Sequence, residues 1–372
     1  MERMQQELIV KDLAKKMVFL TGPRQVGKTY LAKAIAQESE ASVYCNYDSM
    51  ADREIIRSHG WLPNTRLLVL DELHKMEGWK NYLKGLFDTR APHLQILVTG
   101  SARLETFRQS GDSLAGRFFR HRLNPFSLAE IPDANEETLE RLLERGGFPE
   151  PFLADSVTDA ERWRLQYIDG LIRTDILDFE KVHDFRAIQI TLALLRERVG
   201  SPVSYSSLAR DVGVAPNTIK RYIEIFEALF IVFRVAPFHR NIARSLLKDS
   251  KFYFYDTKMV KGDKGVVLEN LVAISLLKHL NAVDDYEGKP TSLRMLRTKD
   301  KKEVDFVLVV DEEPLAMLEV KLSDSRVSPE LRNFHDRYGI RGIQLVKNLH
   351  RERVDHGIEV RSVLNYLKSL KL

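Results

Sequence analysis

The sequence predicts an α/β fold, and three observations support this. The apolar run Met17–Leu20 is followed by a loop with two glycines and then by apolar residues at helical spacing. A second run, Leu67–Leu70, ends directly at two acids, and a third run, Gln95–Thr99, ends at a glycine and a serine. Short apolar runs that alternate with helical patterns are typical of buried parallel strands joined by helices.

Composition limits the class of protein. The 372 residues leave room for two or three domains, and 44% hydrophobic with 30% charged residues is a soluble globular mixture. A net charge of +4 permits a local contact with nucleic acid but is too small to predict one. The single cysteine, Cys45, allows no internal disulfide and fits a reducing compartment. No run approaches the roughly 18 apolar residues of a membrane span, so we expect a cytoplasmic protein without membrane contact.

The loop after the first strand has the pattern G-x-x-x-x-G-K-T. Between a strand and a helix, this pattern predicts a cradle of backbone N–H groups around a phosphate. Lys28 is expected to reach the β- and γ-phosphate oxygens, and the Thr29 hydroxyl to be a ligand of Mg²⁺. We therefore predict ATP and Mg²⁺ as cofactors. The cofactor-binding residues are Gly22, Pro23, Arg24, Gln25, Val26, Gly27, Lys28 and Thr29.

Two acids and a serine follow the later strands. A buried parallel strand delivers the side chains at its end to the C-terminal edge of the sheet. Asp71 is therefore expected to hold Mg²⁺, and Glu72 to polarise the attacking water. The alternative is an acidic pair that caps the following helix. Ser101 follows the strand Gln95–Thr99 and could contact the γ-phosphate or the attacking water.

An arginine precedes the next strand candidate, Phe118–Leu123. Arg117 is a candidate for the arginine that stabilises charge in phosphoryl transfer, acting in cis or from a neighbouring subunit. Oligomerisation is therefore allowed for. The alternative is an ordinary surface salt bridge.

Six short motifs together resemble a known family. GPRQVGKT, LDELHK, VTGS and LAGR occur in this order between Gly22 and Arg117, and NPFS and GGFP follow at Asn124–Ser127 and Gly146–Pro149. The chain is similar to bacterial and archaeal AAA-type P-loop ATPases that carry a C-terminal domain of unknown function. The resemblance implies a five-stranded parallel sheet with helices on both faces over residues 1–135. It also implies a C-terminal domain that looks like a restriction-endonuclease-like fold of the PD-(D/E)XK class.

The middle of the chain predicts helices and then a winged helix. Apolar residues recur at helical spacing from Glu136 onward, which makes residues 136–195 a helical linker or lid. In residues 196–245, a helix, a turn at Gly213, a second helix opened by Pro216 and a strand predict a helix-turn-helix with a wing. Alternatively, this module only links domains or dimerises. The candidate DNA contacts are Asn217, Thr218, Lys220 and Arg221.

Residues 246–372 carry a group of acids on predicted strands and a helix. Glu319 and Lys321 alternate on one strand and share a face, Asp305 lies on the preceding strand, and Glu269 is predicted to begin a helix. Buried acids are unfavourable unless they are paired or bound to a metal. Asp305 and Glu319 would hold Mg²⁺ in a nuclease site, Lys321 would activate water, and Glu269 would orient the site. The alternative is a catalytically silent fold with a structural Glu319–Lys321 pair.

The sequence thus favours an Mg²⁺-dependent protein that binds and hydrolyses ATP, and whose nucleotide state controls a C-terminal DNA-directed module. One alternative is an ATP-gated, metal-dependent DNA nuclease. Another is a non-enzymatic regulator that binds ATP and contacts DNA or a protein. DNA is the expected partner in the first two hypotheses, and a protein partner is allowed by the third.

Overall fold

The computed structural model describes residues 3–100, 114–171, 176, 184–238, 249–298, 302–323 and 326–371. Ser101, one of the candidate ATP-site residues, lies outside these ranges. The chain divides into two compact units. The first comprises Met1–Asn124 and Ala228–Phe230, and the second comprises Pro125–Glu227 and Ile231–Leu372.

The first unit is built around a parallel sheet. Its strands are β1 (Met17–Thr21), β2 (Ser42–Asn46), β3 (Leu67–Asp71), β4 (Gln95–Thr99) and β5 (Phe118–Arg122). Within the described ranges these five strands pair in the order β2-β3-β4-β1-β5, and every pairing is parallel. All residues of β1 and β3 are buried, which explains their uninterrupted apolar runs. The predicted α/β class and parallel sheet are confirmed.

Helices precede and connect the strands of this sheet. They are α1 (Gln5–Leu13), α2 (Lys28–Glu38), α3 (Met50–Ser58) and α4 (Trp79–Thr89), with a short 3₁₀ turn at Leu73–Lys75. Helix α4 buries Trp79, Leu83 and Leu86, a spacing of four and then three residues that forms one apolar stripe. That stripe packs into the core that includes Phe19 and Leu70. Helix α1 was not predicted from the sequence.

The second unit begins with helices. They are α5 (Glu136–Arg145), α6 (Pro149–Leu153), α7 (Val157–Gly170), α8 (Phe185–Arg196), α9 (Tyr205–Val212) and α10 (Pro216–Ala228). Asn135 begins α5 with a capping box shared with Thr138. Gly213 ends α9 with φ of 81°, a left-handed conformation that glycine adopts without a side-chain clash. Helix α10 then begins at Pro216, as the sequence predicts.

A mixed sheet forms the rest of the second unit. Its strands are β6 (Val232–Pro237), β7 (Lys251–Phe254), β8 (Thr291–Arg297), β9 (Glu303–Val310), β10 (Glu313–Ser323), β11 (Arg341–Asn348), β12 (Arg353–Asp355) and β13 (Ile358–Ser362). In the part of the chain that is described, they pair in the order β12-β13-β11-β10-β9-β8-β6-β7. The domain boundary predicted between residues 245 and 246 falls between β6 and β7, which are paired neighbours. The predicted boundary therefore lies within a single sheet.

In the described part of residues 249–371, three helices accompany this sheet: α11 (Lys264–Glu287), α12 (Pro329–Tyr338) and α13 (Val363–Lys368). The Asp263 side chain caps α11 by accepting hydrogen bonds from the N–H groups of Gly265 and Val266. Glu269 therefore lies in the second turn of α11. The sequence analysis expected it to begin the helix, and the helix begins five residues earlier, at Lys264.

Helix α11 also bears on the question of membrane contact. Among the described helices, it alone is long and apolar enough to span a membrane. This differs from the expectation that no segment approaches that limit. However, 72% of its apolar window is buried inside the structure, as in the core helix of a soluble protein.

Candidate functional site

Asp71 accepts hydrogen bonds from several hydroxyl groups at the C-terminal edge of the first sheet. It ends β3 and is only 2% exposed. Thr29 Oγ1 donates to Asp71 Oδ2 at 2.8 Å, and the Tyr44 hydroxyl donates to the same oxygen at 2.6 Å. Thr99 Oγ1 donates to Asp71 Oδ1. Burial, and then the hydrogen bond to Asp71, raises the pKa of Tyr44, so the phenol remains a donor. The buried carboxylate is therefore well satisfied.

The pair Thr29 and Asp71 fits a magnesium site. Both offer hard oxygen ligands, and Mg²⁺ in nucleotide sites commonly takes few protein ligands and completes its shell with water and phosphate. The sequence analysis predicted this pair but missed Tyr44 and Thr99. A signal for Thr99 was present, because it ends the neighbouring strand and pairs in register with Asp71. The partner of Tyr44 depends on strand order, which the sequence does not show.

The backbone of the loop between β1 and α2 needs glycine at two positions. Gly22 has φ of 141°, and a Cβ atom there would overlap the carbonyl oxygen of Leu123. Gly27 has φ of 100° directly before α2. Gln25 is also left-handed, with φ of 60°. Left-handed residues within such a loop can turn successive backbone N–H groups toward one side, an arrangement that binds anions.

Lys28 is held within this same loop. Its side chain is buried, and Nζ donates to the carbonyl oxygens of Gly22 at 2.9 Å and Pro23 at 2.5 Å. From the N-terminal segment, Arg3 Nη2 donates to the carbonyl oxygen of Val26 at 2.7 Å. The ammonium group therefore lies in the segment predicted to receive the phosphates, and Arg3 is an additional support that the sequence analysis missed.

Glu72 follows Asp71 at the same edge of the sheet. Its backbone is left-handed, with φ of 55°, and its N–H donates to the carbonyl oxygen of Thr99. The carboxylate lies 3.3 Å from Lys75 Nζ and 3.6 Å from His74 Nε2. Burial raises the pKa of Glu72, although Lys75 opposes the effect. A carboxylate with a raised pKa accepts protons more readily near neutral pH, which suits contact with an attacking water.

Arg117 lies at the opposite edge of the sheet. Strands β1 and β5 are parallel with Met17 paired to Phe118, so Arg117 precedes β5 at the N-terminal edge. A five-residue strand separates this edge from the loop by roughly 15 Å at about 3.3 Å per residue. Arg117 instead donates to both carboxylate oxygens of Asp88, at 2.8 and 3.0 Å. In this arrangement Arg117 lies far from the loop of its own chain, so its action from a neighbouring subunit stays the prediction.

In the second unit, the predicted acids meet on neighbouring strands. Leu318 pairs with Phe306 in the antiparallel β9–β10 register, which places Glu319 opposite Asp305. The backbone N–H of Val320 donates to Asp305 Oδ2 at 3.0 Å, and Lys321 Nζ donates to Glu319 Oε1 at 2.8 Å.

Gln344 on β11 is fully buried and pairs in register with Glu319 on β10. Its Oε1 accepts a hydrogen bond from the N–H of Ser328 at 2.8 Å. The side chain of Gln344 therefore holds a neighbouring loop.

A lysine that the sequence analysis did not consider lies among these acids. Lys251 begins β7, and its side chain is 1% exposed. Its Nζ lies 2.6 Å from Glu303 Oε1 and 3.4 Å from both Glu269 Oε1 and Asp305 Oδ1. The Tyr253 hydroxyl donates to Glu269 Oε1 at 2.5 Å. Burial alone would lower the pKa of Lys251, but the three carboxylates outweigh it and raise that pKa.

Two of the acids in this cluster, Glu269 and Glu319, lose their negative charge more readily than an ordinary glutamate. Burial, and then repulsion from Asp305, raises the pKa of Glu269 and of Glu319 to about 7. Across the described residues, no group of three or more His, Cys, Asp or Glu side chains is arranged to hold a metal ion. The acids are brought together as predicted, but around the ammonium of Lys251. As arranged, they do not fit the predicted Mg²⁺.

The predicted DNA-contacting side chains lie on the outer face of α10. Asn217, Lys220 and Arg221 are exposed and Thr218 is half-buried, whereas Ile219 on the same helix is buried. Lys220 lies 3.8 Å from Glu224, and both side chains are more than half exposed. Exposed ion pairs of this kind contribute little, so Lys220 can exchange its partner for a phosphate.

The NPFS and GGFP motifs meet within the second unit. The N–H of Phe126 donates to the carbonyl oxygen of Gly147 at 2.6 Å. Lys278 Nζ, on α11, donates to the carbonyl oxygen of Pro125 at 3.0 Å and forms a buried ion pair with Glu130. These motifs therefore anchor the first part of the second unit to its longest helix.

Three segments of the chain match protein families. Residues 14–132 match the family described as an AAA domain. Residues 136–261 and 264–366 match two families described as domains of unknown function, DUF8612 and DUF4143. Together with the loop geometry, the first match supports an AAA-type ATPase that binds and hydrolyses ATP.

Related proteins cover most of the chain. An uncharacterized protein of Mycobacterium tuberculosis is 25% identical over 335 residues, which cover 85% of this chain and 73% of the relative. An uncharacterized protein of Methanocaldococcus jannaschii is 21% identical over 365 residues, which cover 88% of this chain and 80% of the relative. Among solved structures, a Walker-type ATPase of Pyrococcus abyssi aligns with a TM-score of 0.46 at 15% identity, covering 72% of this chain and 95% of that one.

Proposed function

We propose that this protein is an Mg²⁺-dependent ATPase whose nucleotide state controls a DNA-directed module in its second unit. One observation carries the ATPase part of the proposal. Lys28, Thr29, Asp71 and Glu72, from two separate stretches of sequence, meet at one edge of a parallel sheet. Open parallel sheets bind their ligands at this edge.

The proposed chemistry assigns a task to each of these residues. The N–H groups of the loop and the Lys28 ammonium bind the phosphates, for which Lys28 exchanges its contacts with Gly22 and Pro23. Thr29 and Asp71 would hold Mg²⁺, which supplies positive charge next to the phosphates. Glu72 accepts a hydrogen bond from the attacking water and orients it toward the γ-phosphate.

The DNA-directed part rests on α9, the turn at Gly213 and α10. In helix-turn-helix proteins, the second helix presents its outer side chains to the major groove. Asn217 and Arg221 are of the types that contact base edges, and Lys220 is suited to phosphate. Their exposure supports this role. A regulator that binds ATP without rapid turnover remains the alternative, and measured turnover distinguishes the two.

The test is ATP turnover by the full chain with and without duplex DNA, over a series of salt concentrations. We expect DNA to stimulate turnover, and stimulation to fade with salt because phosphate contacts release counterions. Lys28→Ala should lose ATP affinity, whereas Glu72→Gln should keep ATP affinity and lose turnover. Unchanged hydrolysis in both variants would refute the proposed ATP site.

A matched pair of variants tests the DNA face. The double variant Lys220→Ala, Arg221→Ala should lose DNA stimulation and retain basal turnover. Lys261→Ala is the control, because it removes a similarly exposed lysine that lies 3.8 Å from Glu197 on another part of the unit. Equal stimulation in wild type, double variant and control would refute DNA contact through α10 and leave the ATPase assignment standing.

A further inference from the structure

Lys251 stands where a nuclease-like centre would hold its cation. Its ammonium group contacts one oxygen each of Glu303, Glu269 and Asp305, at 2.6 to 3.4 Å. Three carboxylates from a helix and a strand thus converge on a single positive charge from a third element. Such convergence is the usual arrangement around a bound metal ion, and here a side chain of the protein supplies the charge.

The position of Lys251 is fixed by the sheet. Val235 pairs with Lys251 in the β6–β7 register, and the adjacent Ser250 pairs with Val203. The Lys251 side chain is 1% exposed, and the next residue, Phe252, is also buried. The ammonium is therefore shielded from solvent at the position that β7 gives it. A buried ion pair that loses one partner is strongly destabilised, so the cluster and the lysine support each other.

A divalent cation would compete with Lys251 for the same oxygens. Mg²⁺ requires oxygen ligands at about 2.0 to 2.1 Å in a near-octahedral shell. An ion bound to Asp305 would lie within a few ångströms of the Lys251 ammonium, in a poorly solvated site where like charges repel strongly. Lys321, which lies 2.8 Å from Glu319, adds a second positive charge to the same group of acids.

We infer that Lys251 is the resident cation of this cluster, so that the centre binds no divalent metal ion and does not cut nucleic acid by metal-assisted hydrolysis. The acids on β9, β10 and α11 then act as a polar core of the second unit. The DNA-directed module acts by binding. This inference concerns only the second unit and stands whether or not the proposed ATPase cycle is correct.

Metal uptake by the full chain tests the inference. The starting protein is the Asp71→Asn variant, which lacks the candidate metal ligand of the ATP site. No nucleotide is added, so that the ATP site does not bind the metal ion through phosphates. Mn²⁺ is the probe, because its free aqueous form is quantified by electron paramagnetic resonance. We expect the Asp71→Asn chain to take up no Mn²⁺ at millimolar concentration and to show no thermal stabilisation by it. Adding Lys251→Met, which keeps an unbranched side chain one atom shorter and removes its charge, should create one Mn²⁺ site that Asp305→Asn abolishes.

Lys321→Met is the matched control. It removes a charge from the same cluster but leaves Lys251 in place, so it should not create a Mn²⁺ site. The inference is overturned if a folded Lys251→Met chain takes up no Mn²⁺. It is also overturned if the Asp71→Asn chain already binds one Mn²⁺ and loses it on Asp305→Asn. This last comparison keeps Lys251 and decides the question even if Lys251→Met fails to fold.

Discussion

Arg117 provides a sharp test of how the ATPase unit works, because it lies at the edge of the sheet opposite the loop Gly22–Thr29 of the same chain. It precedes β5 at the N-terminal edge, roughly 15 Å of strand from the loop that follows β1. If it stabilises charge in the transition state, it does so in a neighbouring subunit. Arg117→Ala should then reduce turnover by about 10³-fold or more, with ATP affinity unchanged.

The structure supplies a control for this change. Arg117 forms a two-point salt bridge with Asp88, and both side chains are partly exposed. Asp88→Asn breaks that salt bridge but leaves the arginine in place, and exposed pairs contribute little to stability. Turnover should therefore be retained in Asp88→Asn. Loss of activity in both variants to the same extent would assign the effect to the salt bridge.

Mixing inactive chains is the decisive assay. Arg117→Ala keeps its nucleotide loop, and Lys28→Ala keeps its arginine, so each should be inactive alone. In a head-to-tail assembly mixed at equal amounts, about one quarter of positions combine an intact loop with an arginine from the next chain. Turnover should rise to that fraction of the wild-type value and should depend on protein concentration. Wild-type turnover in Arg117→Ala, or no recovery in the mixture, would refute the reasoning.

Two further predictions concern Tyr44 and Glu319. Tyr44→Phe keeps the ring that lies 4.7 Å from Lys33 Nζ but removes the hydroxyl that donates to Asp71. We expect the Mg²⁺ concentration for half-maximal turnover to rise by about tenfold, with little change at saturating Mg²⁺; an unchanged Mg²⁺ titration would contradict this role. For Glu319, burial raises the pKa in the folded protein to about 7 from an ordinary 4.5. The fold thus favours the protonated form, so this contribution to stability is present below pH 4.5 and lost as pH rises through about 7. The melting temperature should fall across that range, and less steeply in Glu319→Gln; equal slopes in the two proteins would contradict the assignment.

The parts of the molecule that the sequence predicted well depend on local patterns. The strands of the first sheet are short apolar runs, and the loop Gly22–Thr29 carries its own turn chemistry. The location of Asp71 and Glu72 at the edge of the sheet could be predicted because Asp71 is the last residue of β3 and Glu72 is the next one. Each of these features is encoded within about ten consecutive residues, and the resemblance to AAA-type ATPases rests on the same stretches.

The parts that were missed depend on which strands become neighbours. Arg117 was expected near the phosphates, and only the parallel pairing of β1 with β5 shows that it lies at the other edge. Tyr44 reaches Asp71 because β2 lies next to β3. Lys251 precedes an aromatic run on β7 and gives no sign in the sequence that three acids, the nearest 18 positions away, surround it. Strand order and register are tertiary properties that periodicity does not reveal.

The shared sheet has a practical consequence for any attempt to divide this protein. Strand β6 lies between β8 and β7, so a fragment that starts after residue 245 would leave β7 without its partner strand and β8 with an open edge. Open edges of this kind pair with other chains and promote aggregation. The segments that match DUF8612 and DUF4143 should therefore fold together or not at all, and they should be assayed in one uninterrupted polypeptide.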